Sequence, residues 1–142
     1  MSKQVFFLGS IGGQGGSPFE DGPIPNDVHV IGWTIRHGEY INSVQLLYSN
    51  RKNSQQHGGN SGDLHQYVLG KGEAIEVLHG KSGIYVDKLI IKTNVQSYIY
   101  GGEGGSNDYS FQIPQGSELV GFFGRSGIYV DTLGAIHREL WH

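Results

Sequence analysis

Three copies of one short segment recur along this chain at a nearly constant spacing, and that repeat restricts the architecture more than any other feature. Two copies are close: Gly80-Lys-Ser-Gly-Ile-Tyr-Val-Asp87-Lys-Leu89 and Gly124-Arg-Ser-Gly-Ile-Tyr-Val-Asp131-Thr-Leu133. A worn copy, Gly38-Glu-Tyr-Ile-Asn42-Ser-Val44, lies upstream, and the glycines at 38, 83 and 127 are 45 and 44 residues apart. Between the segments lie three glycine-rich loops, Gly12–Gly16, Gly58–Gly62 and Gly101–Gly105, which start 46 and 43 residues apart. A period of this length means three supersecondary units that stack on one another to bury a shared core.

The apolar pattern within each unit is that of strands. Ile31, Trp33 and Ile35 alternate with polar or small neighbours, as do Tyr109, Phe111 and Ile113. Shorter runs at 44–48, 67–69, 74–78, 89–91, 119–123 and 133–136 have strand length, and Gly, Asn, Ser or Pro clusters divide them. No stretch of ten residues has helical periodicity. Glycine makes up 24 of 142 residues, about a sixth, against a usual ~7%. That abundance opposes helices, where each glycine costs about 1 kcal/mol relative to alanine. The expectation is an all-β domain spanning residues 1–142, with about four short strands per repeat. Trp33 and Trp141 are read as packing residues, and His57 as a turn residue.

Composition excludes several function classes. Charged residues are 16% of the chain and the net charge is −3, with no basic run longer than Arg51-Lys52, so no nucleic-acid footprint exists. Cysteine is absent, which rules out disulfides and thiolate metal sites. The seven histidines show no His-x-x-x-His pairing, and neither a Gly-x-Ser-x-Gly elbow nor a phosphate-cradling GKS or GKT follows any loop. No catalytic residue, metal ligand or cofactor is assigned. The N-terminal apolar stretch Val5–Leu8 is too short for a signal peptide or a membrane span. The default expectation is a cytoplasmic protein that does not insert into membranes, with non-classical export left open.

The chemistry of the paired elements suits a polyhydroxylated ligand. A glycine-rich loop can present several backbone N–H groups, because no Cβ blocks approach. A fixed aspartate adds two ionised acceptors for hydroxyl donors, and a tyrosine adds a flat apolar face. Donors, an acceptor and an aromatic platform fit a sugar; a phosphate would be repelled by the aspartate. The bland alternative is that loops and aspartates are only turns preserved by the fold repeat, which leaves a structural or protein-interaction domain.

Several stretches resemble the jacalin-related lectin family across nearly the whole chain. They are Gly12–Phe19, Asp21-Gly-Pro-Ile24, Thr93-Asn94 with Tyr100–Gly105, and Val120-Gly-Phe-Phe-Gly-Arg-Ser-Gly-Ile-Tyr-Val-Asp131-Thr-Leu-Gly134. The repeated Gly-x-Tyr-x-Asp is similar to the mannose-binding type. The resemblance implies a β-prism I fold: three four-stranded Greek-key sheets around a pseudo-threefold axis, with sugar sites at one end. By the family's pattern, Asp131 with Gly127, Ile128 and Tyr129 faces Gly16. Asp87 with Gly83, Ile84 and Tyr85 faces Gly105, and Asn42 with Tyr40 faces Gly62. Asn42 keeps one acceptor but lacks the charge; a charge-assisted bond is worth about 1.5–3 kcal/mol and a neutral one about 1. A weakened third site is therefore expected.

Galactose-preferring members are proteolytically processed at the first glycine. Here eleven residues precede Gly12, so the unprocessed form is similar to the mannose-preferring branch. The expected partners are mannose- or glucose-type glycans such as oligomannose, bound without catalysis. Homodimers occur in the family, but this sequence does not determine the oligomer. Recognition of an acidic polysaccharide through Lys81 and Arg125 is the other reading.

Overall fold

A computed structural model describes residues 3–140, and these form twelve strands and no helix. The strands are β1 (Val5–Gly12), β2 (Ser17–Glu20), β3 (Val30–His37), β4 (Ile41–Tyr48), β5 (His57–Gly58) and β6 (Asp63–Val68). They continue with β7 (Ile75–Ser82), β8 (Val86–Thr93), β9 (Ser97–Gly101), β10 (Asn107–Gln112), β11 (Ser117–Ser126) and β12 (Val130–Glu139). They build three antiparallel four-stranded sheets, ordered β1-β12-β11-β2, β5-β4-β3-β6 and β10-β7-β8-β9. The fold is a β-prism. Trp141, expected to pack in the core, lies outside the described residues.

Each sheet follows one plan. Two long strands form a central hairpin: β3–β4, β7–β8 or β11–β12. The two outer strands flank it, and the glycine loop joins them across its turn. Two sheets come from contiguous chain, but the third takes β1 and β2 from the start and β11 and β12 from the end. Pairing β1 with β12, with Phe7 opposite Ile136, therefore closes the prism.

Strand alternation sends one face of every sheet inward. Trp33, Ile35, Val44, Leu46, Leu78, Leu89, Ile91, Phe122 and Leu133 are fully buried and belong to one cluster. Burying each such side chain stabilises the fold by about 1.5–3 kcal/mol. Polar contacts tie the sheets together where apolar packing meets a hydrogen-bonding group. The buried Trp33 indole donates to the Tyr100 hydroxyl at 2.8 Å, and the Tyr48 hydroxyl donates to the Val120 carbonyl at 2.7 Å. His57 is a buried strand residue: its Nε2 lies 2.6 Å from Asp21 Oδ1, and its ring stacks on Phe19 at 3.9 Å. Asp21 Oδ2 also accepts from the Phe122 N–H.

Candidate functional site

The three repeated segments are the turns of the three central hairpins. Each turn has three residues, 38–40, 83–85 and 127–129, and closes with the glycine N–H donating to the tyrosine carbonyl. These bonds are Gly38 to Tyr40 at 3.0 Å, Gly83 to Tyr85 at 2.9 Å and Gly127 to Tyr129 at 2.9 Å. The acceptor residue follows two positions later on the returning strand: Asn42 on β4, Asp87 on β8 and Asp131 on β12. Each stands at the start of its strand, where the pairing register is irregular, and the crossing glycine loop covers it. All three are buried, at 6%, 6% and 4% exposure respectively.

Each loop is anchored to its hairpin by a matching backbone bond. Gly13, Gly59 and Gly102 donate to the carbonyls of Asp131, Asn42 and Asp87, each at 2.9 Å. The last glycine of each loop then sits directly beside the acceptor. A Cβ on Gly16 would be 2.7 Å from Asp131 Oδ1, one on Gly105 2.8 Å from Asp87 Oδ1, and one on Gly62 2.6 Å from Asn42 Oδ1. Their φ angles of +71°, +88° and +86° lie in the left-handed region that glycine adopts without strain. The structure thus brings together the sequence-predicted pairs Gly16–Asp131, Gly105–Asp87 and Gly62–Asn42.

The carboxylates are held in unusual surroundings. Burial pushes the Asp87 carboxyl above its ordinary pKa, and Asp87 Oδ1 has no hydrogen-bond partner. Burial also raises Asp131, although the nearby Arg125 charge and its own backbone N–H oppose the rise. A buried carboxylate oxygen without a donor costs free energy, so it marks a place where a donor from outside would be stabilised. With glycine on the facing side, nothing larger than a hydrogen separates that oxygen from the loop backbone.

The remaining predicted residues divide into rim and centre. Ile84 and Ile128 are 75% and 72% exposed at the turn tips. Their carbonyls face a neighbouring repeat's loop: a Cβ on Gly13 would be 2.1 Å from the Ile84 oxygen, and one on Gly59 2.5 Å from the Ile128 oxygen. Gly102 meets the Glu39 carbonyl in the same way at 2.6 Å. Loops and turns therefore interlock in a ring around the axis. Tyr40, Tyr85 and Tyr129 are half-buried and pack against one another, with ring centroids 4.6–5.1 Å apart.

Several residues at this end have contacts that the sequence does not show. Arg125 clamps the first loop by donating from Nε to the Gly15 carbonyl at 3.0 Å and from Nη2 to the Gly16 carbonyl at 2.8 Å. Lys88 pairs with Glu103 of the third loop at 3.0 Å. The Gly101 N–H donates to His37 Nδ1 at 3.0 Å, which ties the third loop to the first turn. Lys81 is engaged by Asp108 at 2.9 Å. Both cations proposed for an acidic ligand are thus held by groups of the protein itself. Among the described residues, no cluster of three or more histidine, aspartate or glutamate side chains could hold a metal ion.

Three antiparallel sheets around an axis, with three glycine-loop pockets at one end, define a β-prism of the lectin type. The chain belongs to the Jacalin-like lectin domain family, whose model matches residues 8–136. It is 29% identical to Zymogen granule membrane protein 16 of Rattus norvegicus, over 99% of this chain and 84% of that protein. Among solved structures it is similar to AcmJRL, a mannose binding jacalin related lectin from Ananas comosus. That match has a TM-score of 0.83 and 26% identity, covering 95% of this chain and 98% of that one. A mannose-specific jacalin-related lectin from Morus nigra, solved in complex with mannose, matches with a TM-score of 0.80 and 26% identity over 95% of each chain. The family and these two solved neighbours are carbohydrate-binding lectins.

Proposed function

We propose that this protein binds mannose- or glucose-type glycans through two full sites per chain and a weakened third. One site comprises Asp131, the 127–129 turn and Gly15-Gly16; the other comprises Asp87, the 83–85 turn and Gly104-Gly105. The observation that carries the reading is the buried Asp87 Oδ1, left without a donor beneath a loop of glycines. A sugar hydroxyl supplies that donor, and loop and turn amides supply donors to the sugar's oxygens. The mannose-binding neighbours support the choice of sugar. A purely structural carboxylate would be expected to have its oxygens satisfied internally, as both oxygens of Asp21 are.

A single shallow site of this kind has a Kd near 1 mM, about −4 kcal/mol, and two sites on one chain raise the avidity for branched glycans. Saturation-transfer NMR with methyl mannoside and methyl galactoside tests the reading. Transfer to the mannoside alone is expected. Transfer to neither sugar at ~50 mM, far above the Kd scale of a single site, would remove it.

A further inference from the structure

The repeat that holds Asn42 has an acceptor without charge, yet its tyrosine completes a closed aromatic triangle with the tyrosines of the other two. Tyr40 lies 5.1 Å from Tyr85 at 68° and 5.0 Å from Tyr129 at 61°, while Tyr85 and Tyr129 are 4.6 Å apart at 52°. All three contacts have the tilted or edge-on geometry and centroid spacing that aromatic pairs favour. Each tyrosine is the last residue of its hairpin turn. Its carbonyl closes the turn, and its acceptor residue lies two positions further on. Each turn therefore takes its side-chain support at the axis from the two other repeats.

Resting on the lectin reading, we infer that Tyr40 is a positioning residue for sugar binding at the Asp87 and Asp131 sites. It acts through the rings of Tyr85 and Tyr129. Without Tyr40, each of those rings loses one of its two aromatic neighbours. The 83–85 and 127–129 turns, each ending two residues before its carboxylate, then lose that packing. Small displacements there matter, because a binding group must be held to within about 0.5 Å of its productive position. Besides its own weakened pocket, the uncharged repeat thus contributes to glycan binding at the other two sites through its aromatic ring.

The test compares methyl mannoside affinity, by NMR titration, for wild type, Tyr40→Ala, Tyr40→Leu, Tyr40→Phe and Asn42→Ala, with thermal unfolding measured in parallel. Tyr40→Ala and Tyr40→Leu are expected to weaken binding at both sites by about three- to tenfold, the scale of one or two lost aromatic contacts. Tyr40→Phe keeps the ring and should stay within about twofold of wild type on the same scale; Asn42→Ala should remove only the weakened third site and leave the Asp87 and Asp131 sites within the same range. Leucine fills much of the volume, so a folded variant is available even if the alanine chain does not fold. Unchanged mannoside affinity in folded Tyr40→Leu, weakening at one site only, or equal weakening in Asn42→Ala would overturn the inference. In those cases the lectin reading stands. If wild type itself binds no mannoside, both fall together.

Discussion

A Cβ on Gly104 would stand 3.0 Å from Asp87 Oδ2, and one on Gly15 only 2.6 Å from Asp131 Oδ2. The residue at the corresponding place in the second loop is Ser61, which carries that Cβ. The third pocket therefore differs twice at one spot: Asn42 removes the charge, and Ser61 puts a Cβ where the other two loops have only a hydrogen. The surrounding backbone is otherwise conserved among the repeats, since Gly59 still bonds the Asn42 carbonyl and Gly38 still closes its turn. Asn42→Asp combined with Ser61→Gly should create a third mannoside site of comparable affinity, and Asn42→Asp alone a weaker one. Counting the sites by NMR titration checks this; two sites in the double variant would contradict it.

Substituting the loop-closing glycine should abolish a site at modest cost to the fold. Gly105→Ala places a methyl 2.8 Å from Asp87 Oδ1 and forces alanine to a φ of +88°. The strain is on the order of 1–3 kcal/mol, and the methyl occupies the space of the incoming hydroxyl. Mannoside binding at the Asp87 pocket should fall below detection while the Asp131 pocket retains wild-type affinity. Equal binding at both pockets would show that Gly105 does not line the site.

Acid should weaken binding before it unfolds the protein. Both site carboxyls are raised above their ordinary value by burial, and Asp131 is moderated by Arg125. Binding needs the ionised form, so affinity is lost as pH falls through these raised values, above the usual ~3.9 of a free aspartate. Their contribution to stability has the opposite sign: the folded state holds the extra proton, so stability rises on acidification through this window and is lost again as pH rises. Mannoside titrations between pH 4 and 7, a range chosen to span the aspartate and histidine values, check the binding claim. A pH-independent affinity would contradict it.

His37 and His137 give a second, separable acid effect. Burial lowers the pKa of both; for His37 the neighbouring His65 lowers it further and Asp63 opposes. Below the ordinary ~6.5 the unfolded chain takes up protons that the folded chain refuses, so stability falls as pH drops from there to the lowered values. Protonation of His37 Nδ1 also removes the acceptor for the Gly101 N–H. His37→Gln should flatten the pH dependence of thermal stability just below neutrality, and an unchanged slope would remove His37 from this role.

Much of this was readable in the sequence because backbone geometry at the site demands particular residues. Glycine is required where Gly16 and Gly105 face a carboxylate, and the turn motif marks the hairpin tips. The central strands alternate cleanly because one face of each is core, as at Trp33 and Ile35. The short edge strands were not legible: Ser17–Glu20 and Ser97–Gly101 bury little and so carry little pattern. Contacts made between distant parts of the chain were equally hidden. Arg125 reaches loop carbonyls more than a hundred residues away, His57 finds Asp21 across two sheets, and the tyrosine triangle exists only once three repeats have closed into a ring. The pairing of Gly16 with Asp131 came from family resemblance rather than spacing, since it joins the two ends of the chain.

Away from the sugar-facing end, Glu73 organises the region between two sheets. Burial alone would raise its pKa, but the Gly70 N–H and the Tyr98, Tyr67 and Thr93 hydroxyls donate to it and bring it down to about 2. Its stabilisation is present above the ordinary carboxyl range and is lost as pH falls toward that value. Glu73→Gln should cost about 1–3 kcal/mol of stability at neutral pH, the scale for removing a charged, buried acceptor from its donors. Mannoside affinity should be unaffected. Urea unfolding measures the first and titration the second.

The central claim is that two buried aspartates, each under its own glycine loop, carry glycan binding. It is tested most directly by following backbone amides by NMR during titration with methyl mannoside, in wild type and in Asp87→Ala/Asp131→Ala. The account predicts saturable shifts at Gly13–Gly16 with 127–131 and at Gly102–Gly105 with 83–87, and their loss in the folded double variant. Shifts that persist in that variant, or that centre on Asn42 and Gly62, would contradict it.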